Sequence, residues 1–219
     1  VREEIIASAE SCTFDYTPFI HPSEPPGPDG KTWKADAYES TLYKAAIAKH
    51  TQPKRILEIG IRAGYAAAAF LYACPTATYV GMDMNQSVKG LAPWGGRRNF
   101  MHHATDTLRD KYPEATVVTY EVNSLSPEAR VLAESMELFD LVHVDGDHSE
   151  EGCLSDLYLA RDIVRPGGFI LADDFKEEAP WNRAQVGVTA AVKTFVADTG
   201  WFYIHLPSGQ GEALISVPL

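Results

Sequence analysis

Asp145 closes one short apolar run, Leu141–Val144, and Asp173-Asp174 closes another, Phe169–Ala172, in the stretch FDLVHVDGDHSEEGCLSDLYLARDIVRPGGFILADDF. Between them Cys153, Leu157, Ala160 and Val164 recur at helical spacing, with Leu154 widening the stripe, and Pro166-Gly167-Gly168 ends the helix. The unit predicts two parallel strands with a right-handed crossover, so both acidic ends lie on one edge of a sheet. Neighbouring strands sit about 4.8 Å apart, which would gather Asp145, Asp173 and Asp174 in one small volume. Three carboxylates there repel one another unless a cation sits among them. Hard oxygen donors suit Mg²⁺, Mn²⁺ or Ca²⁺. His148, three residues after Asp145, has the unperturbed range of a general base, about 6.5. Asp147 and Glu150 read as a helix cap and its capping box. Acids also end strands without any chemistry, so the site reading rests on Asp145, Asp173, Asp174 and His148 together.

The elements that must position these groups begin with KRILEIGIRAGYAAAAFL. Ile56–Ile59 reads as a buried strand and the alanine run as a helix. Between them Gly60-Ile61-Arg62-Ala63-Gly64 predicts a tight turn whose N–H groups and helix end face the ligand edge. Gly60 is where a ligand could approach the backbone, and Glu58 suits a cationic amine better than a phosphate. A dinucleotide turn needs G-x-G-x-x-G, but Arg62 and Tyr65 stand at its second and third glycines. A plain turn without a ligand stays open on this motif alone.

Thr78–Met82 reads as the second strand, ending in Asp83, a carboxylate placed to accept ribose hydroxyls. Thr116–Glu121 reads as the third, followed by Asn123 and Ser124 as adenine contacts. Ala35–His50 predicts a helix with Tyr38, Leu42, Ala45 and Lys49 on one face. Val188, Val192, Phe195 and Val196 mark a last helix closed by Gly200, and two final strands flank Pro-Ser-Gly-Gln-Gly as a hairpin. Residues 1–34, rich in Pro and Gly in their second half, form an N-terminal segment, either a lid or a tail, before a single domain over 35–219. Trp33 and Tyr38 could line a pocket or anchor that segment. The loop carrying Lys89, Trp94, Arg97 and Arg98 and the loop with Trp181 are expected pocket walls.

The formal charge of −11 over 219 residues opposes a role on nucleic acid, which needs positive surface. The three scattered cysteines fit a reducing compartment, the cytoplasm. No stretch has the length of a membrane span and no signal pattern is visible, so no membrane role is expected. The chain admits a homo-oligomer.

Taken in order, RILEIGIRAGYAA, YVGMD, HVDGDH and ILADD resemble a class I S-adenosylmethionine-dependent methyltransferase over roughly residues 35–219. Within that class the chain is similar to metal-dependent O-methyltransferases of the catechol, caffeoyl-CoA and macrolide-sugar types. The resemblance implies a Rossmann-like, seven-stranded, mostly parallel sheet with helices on both faces and a C-terminal antiparallel hairpin. It implies S-adenosylmethionine held by Glu58, Gly60, Gly64, Asp83, Asn123, Ser124 and Asp145. It also implies Mg²⁺ (or Mn²⁺ or Ca²⁺) on Asp145, Asp173 and Asp174, beside His148 as base, and a small-molecule hydroxyl as acceptor. Arg62 departs from the family's middle glycine. The rival readings are transfer to oxygen or nitrogen without a metal, a non-catalytic cofactor-binding protein, and a nicotinamide oxidoreductase.

Overall fold

The computed structural model describes residues 1–19, 35–84, 100–178, 180 and 182–219. Along the chain run α1 (Arg2–Glu10), a 3-10 turn (Thr17–Phe19), α2 (Ala35–Thr51), β1 (Arg55–Ile59), α3 (Tyr65–Ala73), β2 (Thr78–Asp83) and α4 (Phe100–Lys111). There follow β3 (Thr116–Glu121), α5 (Pro127–Glu134), β4 (Phe139–Val144), α6 (Glu150–Ile163), β5 (Val164–Asp173), α7 (Arg183–Thr199), β6 (Phe202–Leu206) and β7 (Glu212–Ser216). The strands form one sheet in the order β3-β2-β1-β4-β5-β7-β6. Pairing is parallel from β3 to β5, and β7 inserts antiparallel between β5 and β6. This is the expected Rossmann-like sheet with its terminal hairpin. Strand order reverses between β1 and β4, and ligands of such sheets bind beyond the strand ends there.

Alternation along each central strand divides its side chains between two cores. Leu57, Ile59, Val142, Val144, Ile170 and Ala172 pack toward α6 and α7. Ile56, Leu141, Leu171 and Leu214 pack toward α1, α2 and α3. The same parity puts one polar residue from each of four strands, Glu58, His143, Asp173 and Glu212, on the α2–α3 side, and all four are buried. The buried face of α2 runs through Ser40, Lys44, Ile47 and Ala48, whereas Tyr38 and Lys49 are exposed. The expected stripe through Tyr38 and Lys49 is therefore rotated, because two inward positions carry polar side chains.

Residues 1–19 join the main core, where Ile5, Ala9, Phe14, Tyr16 and Phe19 are buried with α2 and α3. Tyr38 anchors them: its hydroxyl donates to the Phe14 carbonyl at 3.2 Å and its ring lies 5.3 Å from that of Tyr16. Trp33, Lys89, Trp94, Arg97, Arg98 and Trp181 lie outside the described residues. No helix among the described residues is long and apolar enough to cross a membrane.

Two local expectations change. Pro166-Gly167-Gly168 lies inside β5 rather than in a loop before it. The β4–β5 register shifts between Phe139 and Leu141, and Gly167 takes φ +73°, so an irregularity absorbs the residue that cannot donate to the ladder. The cap of α6 is Ser149, whose Oγ accepts from the Gly152 N–H at 3.1 Å. Asp147 instead accepts the Ser149 N–H at 2.8 Å and shapes the turn before the helix.

Candidate active site

At the end of β1 the chain turns under tight backbone constraint. Gly60 has φ +90°, and a Cβ there would fall 2.1 Å from the Asp145 carbonyl oxygen. The close approach that demands glycine is thus the end of β4. Two amides tie the same strand ends: Gly60 N–H donates to Met82 O at 2.8 Å and Asp145 N–H to Ile59 O at 2.9 Å. Gly64 has φ +77°, and its absent Cβ makes room for Ala104 on α4. Asp83 Oδ2 accepts the N–H groups of Ile61 and Arg62 at 2.8 and 2.9 Å, so this carboxylate also clamps the turn. Arg62 sits at φ +46°, a conformation that costs a non-glycine residue roughly 1–3 kcal/mol.

The turn borders a cavity of about 350 Å³ whose wall includes Glu58, Arg62, Asp145, His148, Asp173 and Asp174. That volume falls within the range of small-molecule sites, roughly 300–1,000 Å³. On its floor His148 lies between two strand ends, with Nε2 3.0 Å from Asp145 Oδ1 and Nδ1 3.1 Å from Asp174 Oδ2. A neutral imidazole can donate from only one nitrogen. Two carboxylate partners therefore mark His148 as an imidazolium. Burial works against that charge, but the hydrogen bonds His148 donates to Asp145 and Asp174 prevail and push its pKa up to about 11. Burial and the Asp173 charge raise Asp145 to about 6, against the opposing pull of His148. Asp174 reaches this position with φ +57°.

A buried polar row runs from the cavity wall into the core, and Ser40, Lys44, Glu58 and Asp173 belong to both. Glu58 accepts from the Tyr79 hydroxyl and faces His143 Nδ1 at 3.1 Å. Burial opposes a charge on His143, and its Glu58 partner raises its pKa overall. From α2, Lys44 Nζ reaches Asp173 Oδ1 at 2.9 Å, Glu212 Oε1 at 2.7 Å and Ser40 Oγ at 2.6 Å. The lysine side chain is 4% exposed. Burial disfavours its charge, yet Asp173 and Glu212 raise its pKa and keep it an ammonium. One ammonium cannot balance two carboxylates. Asp173 is accordingly held below the usual range despite its burial, while burial and Asp173 push Glu212 up to about 8.

The chemistry of this donor set can be compared with the Mg²⁺ that the sequence suggests. Among the described residues, the His, Cys, Asp and Glu donors within 4.8 Å of one another are Glu58–His143–Asp145 and His143–Asp173–Glu212. Neither set is the aspartate trio. His148 takes Asp145 and Asp174, and Lys44 takes Asp173. These residues do not fit a single shared ion on Asp145, Asp173 and Asp174, because side-chain cations of the chain already hold each carboxylate.

Asn123 and Ser124 stand beyond β3 and are not among the cavity's lining residues. Asn123 Oδ1 accepts the Leu125 N–H at 3.0 Å. Ser124 is turned toward Asp156, a buried acid under the Asp145–Asp147 turn. Burial raises Asp156 to about 6, with Ser124 and the Asp147 amide opposing. Lys44, Tyr79, His143, Asp156 and Glu212 are the polar groups that the strand-end pattern misses. Their signal is parity: a polar residue at each inward position of an otherwise apolar strand or helix face.

With this geometry in place, the chain can be set beside known proteins. The family described as "Methyltransferase domain" matches residues 57–175. Comparison with curated proteins finds no match. Among solved structures, Podospora anserina methyltransferase PaMTH1 with bound S-adenosylhomocysteine superposes with TM-score 0.60 at 18% identity, covering 98% of this chain and 88% of that one. The O-methyltransferase TomG of Streptomyces achromogenes, involved in tomaymycin synthesis and bound to S-adenosylmethionine, gives 0.57 at 19%, covering 84% and 81%. A Bacillus cereus O-methyltransferase with S-adenosylhomocysteine gives 0.57 at 14%, covering 98% and 89%. At such identities these likenesses speak to the fold.

Proposed function

The chain belongs to the methyltransferase-domain family, matched over residues 57–175 of 219, and from that premise we propose that it is an S-adenosylmethionine-dependent O-methyltransferase acting on a small-molecule hydroxyl. Sugars, polyphenols and related natural products are the acceptor class. The observation that carries this reading is one cavity bounded by both the β1 turn and the Asp145–His148–Asp174 cluster. A cofactor cradle and a proton-handling group thus share one volume. The likeness to TomG, which takes part in tomaymycin synthesis, supports a small-molecule acceptor.

When bound, S-adenosylmethionine supplies an electrophilic methyl group on a sulfonium centre. The acidic wall suits its positive charge. Glu58 and the Gly60–Gly64 turn hold the amino-acid end. Asp83, whose Oδ2 keeps the turn closed, is assigned to the ribose. Asn123 and Ser124, the expected adenine contacts, lie outside this cavity. The acceptor oxygen must then lie in line with the methyl group, which is chiefly a matter of positioning.

His148 was expected to remove the acceptor's proton, but an imidazolium has no lone pair for it. In this reading Asp145 accepts the hydroxyl proton, its basicity raised by burial, while His148 Nε2–H fixes Oδ1 and Asp174 holds Nδ1–H. No step runs through a metal.

The test is transfer of a labelled methyl group from S-adenosylmethionine to a panel of vicinal-diol sugars and catechols. Transfer should require a hydroxyl acceptor. Asp145→Asn should lower it by about 10²–10⁴-fold, with S-adenosylhomocysteine affinity kept within about tenfold, or 1.4 kcal/mol. Undiminished transfer by that variant would remove Asp145 from the chemistry. Cofactor binding with no transfer to any hydroxyl, in the wild type, would favour a non-catalytic binding protein.

A further inference from the structure

Three carboxylates at the ends of β4 and β5 need positive charge, and on one of them it comes from an unexpected place. Lys44 is the only cationic side chain that α2 turns into the core among its described side chains. It crosses from the helix to the sheet and meets Asp173 Oδ1 at 2.9 Å and Glu212 Oε1 at 2.7 Å. Ser40, one turn earlier, completes the contact: its hydroxyl donates to Glu212 Oε1 at 2.5 Å and accepts from Lys44 Nζ at 2.6 Å. An ammonium so held carries three hydrogen bonds, all it can donate. A divalent ion on Asp173 would have to share this carboxylate with a fixed positive charge. Glu212 arrives from β7, paired directly with Asp173 across the antiparallel ladder.

We propose that the Lys44 ammonium is the built-in counter-ion of Asp173, occupying the electrostatic role of a divalent cation, so that this methyltransferase works without a metal. Lys44 is a positioning residue: from the cavity wall it fixes the Asp173 carboxylate, and the Asp145–His148–Asp174 cluster is left to face the acceptor. Ser40 and Glu212 hold the ammonium in place. The inference rests on the methyltransferase reading above and goes beyond it by naming what balances the charge.

The experiment follows free Mn²⁺ by electron paramagnetic resonance in the S-adenosylhomocysteine complex, with cofactor binding measured separately by calorimetry. The wild-type complex should leave the Mn²⁺ signal unchanged up to about millimolar metal, weak binding by the affinity scale. Lys44→Met should take up one Mn²⁺ per chain at least tenfold more tightly. Because an uncompensated buried acid can unfold that variant, Lys44→Met/Glu212→Gln, which removes one carboxylate as well, is measured beside it. Stoichiometric Mn²⁺ uptake by the wild-type complex would overturn the proposal, as would folded Lys44 variants that bind no more metal than the wild type. Failure of the wild type to bind S-adenosylhomocysteine at all would instead remove the methyltransferase reading, and this inference with it.

Discussion

His148 is the residue whose behaviour departs most from its reputation. Its folded pKa of about 11 lies above the unfolded value of 6.5, so its contribution to stability is full below about pH 6.5 and is lost as pH rises through 11. The melting-temperature advantage of wild type over His148→Gln should therefore be large near pH 6.5 and shrink steadily toward pH 11. A gap that widens with pH would contradict the imidazolium. Asp83→Asn tests a different role, since it weakens both the turn clamp and the ribose contact. It should raise the dissociation constant for S-adenosylhomocysteine at least tenfold and also lower the melting temperature, both measurable in one titration series. Asp145, His148, Asp173 and Asp174 are legible in the sequence because each sits at or just after the end of an apolar run. Their partners are not. Lys44 hides in a helix that reads equally well with its stripe turned the other way, and Glu212 is separated from Asp173 by the whole of α7 and β6. Only pairing in three dimensions brings them together.

At the scale of elements, the β1–α3 turn and the end of β4 form one mechanical piece. Gly60→Ala places a methyl carbon where the Asp145 carbonyl already stands, in a backbone region hostile to side chains. It should destabilise the fold by more than about 1 kcal/mol and reduce cofactor affinity and transfer together, as read by denaturant titration and calorimetry. Gly187 plays a similar part on α7, where a Cβ would fall 2.2 Å from the His148 carbonyl oxygen. Gly187→Ala should displace the His148 turn and cut transfer while leaving S-adenosylhomocysteine binding nearly intact. The strand and helix order is readable from periodicity, and β3 falls on the expected residues. The bounds of α2 hold, but its inward face is misread because it carries polar residues, and the start of β5 is missed where a bulge hides a proline. In both, tertiary packing overrides the local pattern.

For the molecule as a whole, cofactor binding and folding are linked, because the turn and the acids belong to the folded state only. S-adenosylhomocysteine at a hundred times its dissociation constant should add about 2.7 kcal/mol, roughly 5–10 °C in melting temperature for a domain of this size. No such rise with NADH would separate this chain from the oxidoreductases that share its sheet.

Glu212 belongs to β7, made after every other strand described, yet it lies against the first half of the chain through Ser40 and Lys44. During translation, β5 must wait with its outer edge bare until β7 leaves the ribosome and slots in beside it. Until then Lys44 has Ser40 and Asp173 but not its third partner, although most of the helices have already been made. A settled active centre therefore waits on the β5–β7 pairing.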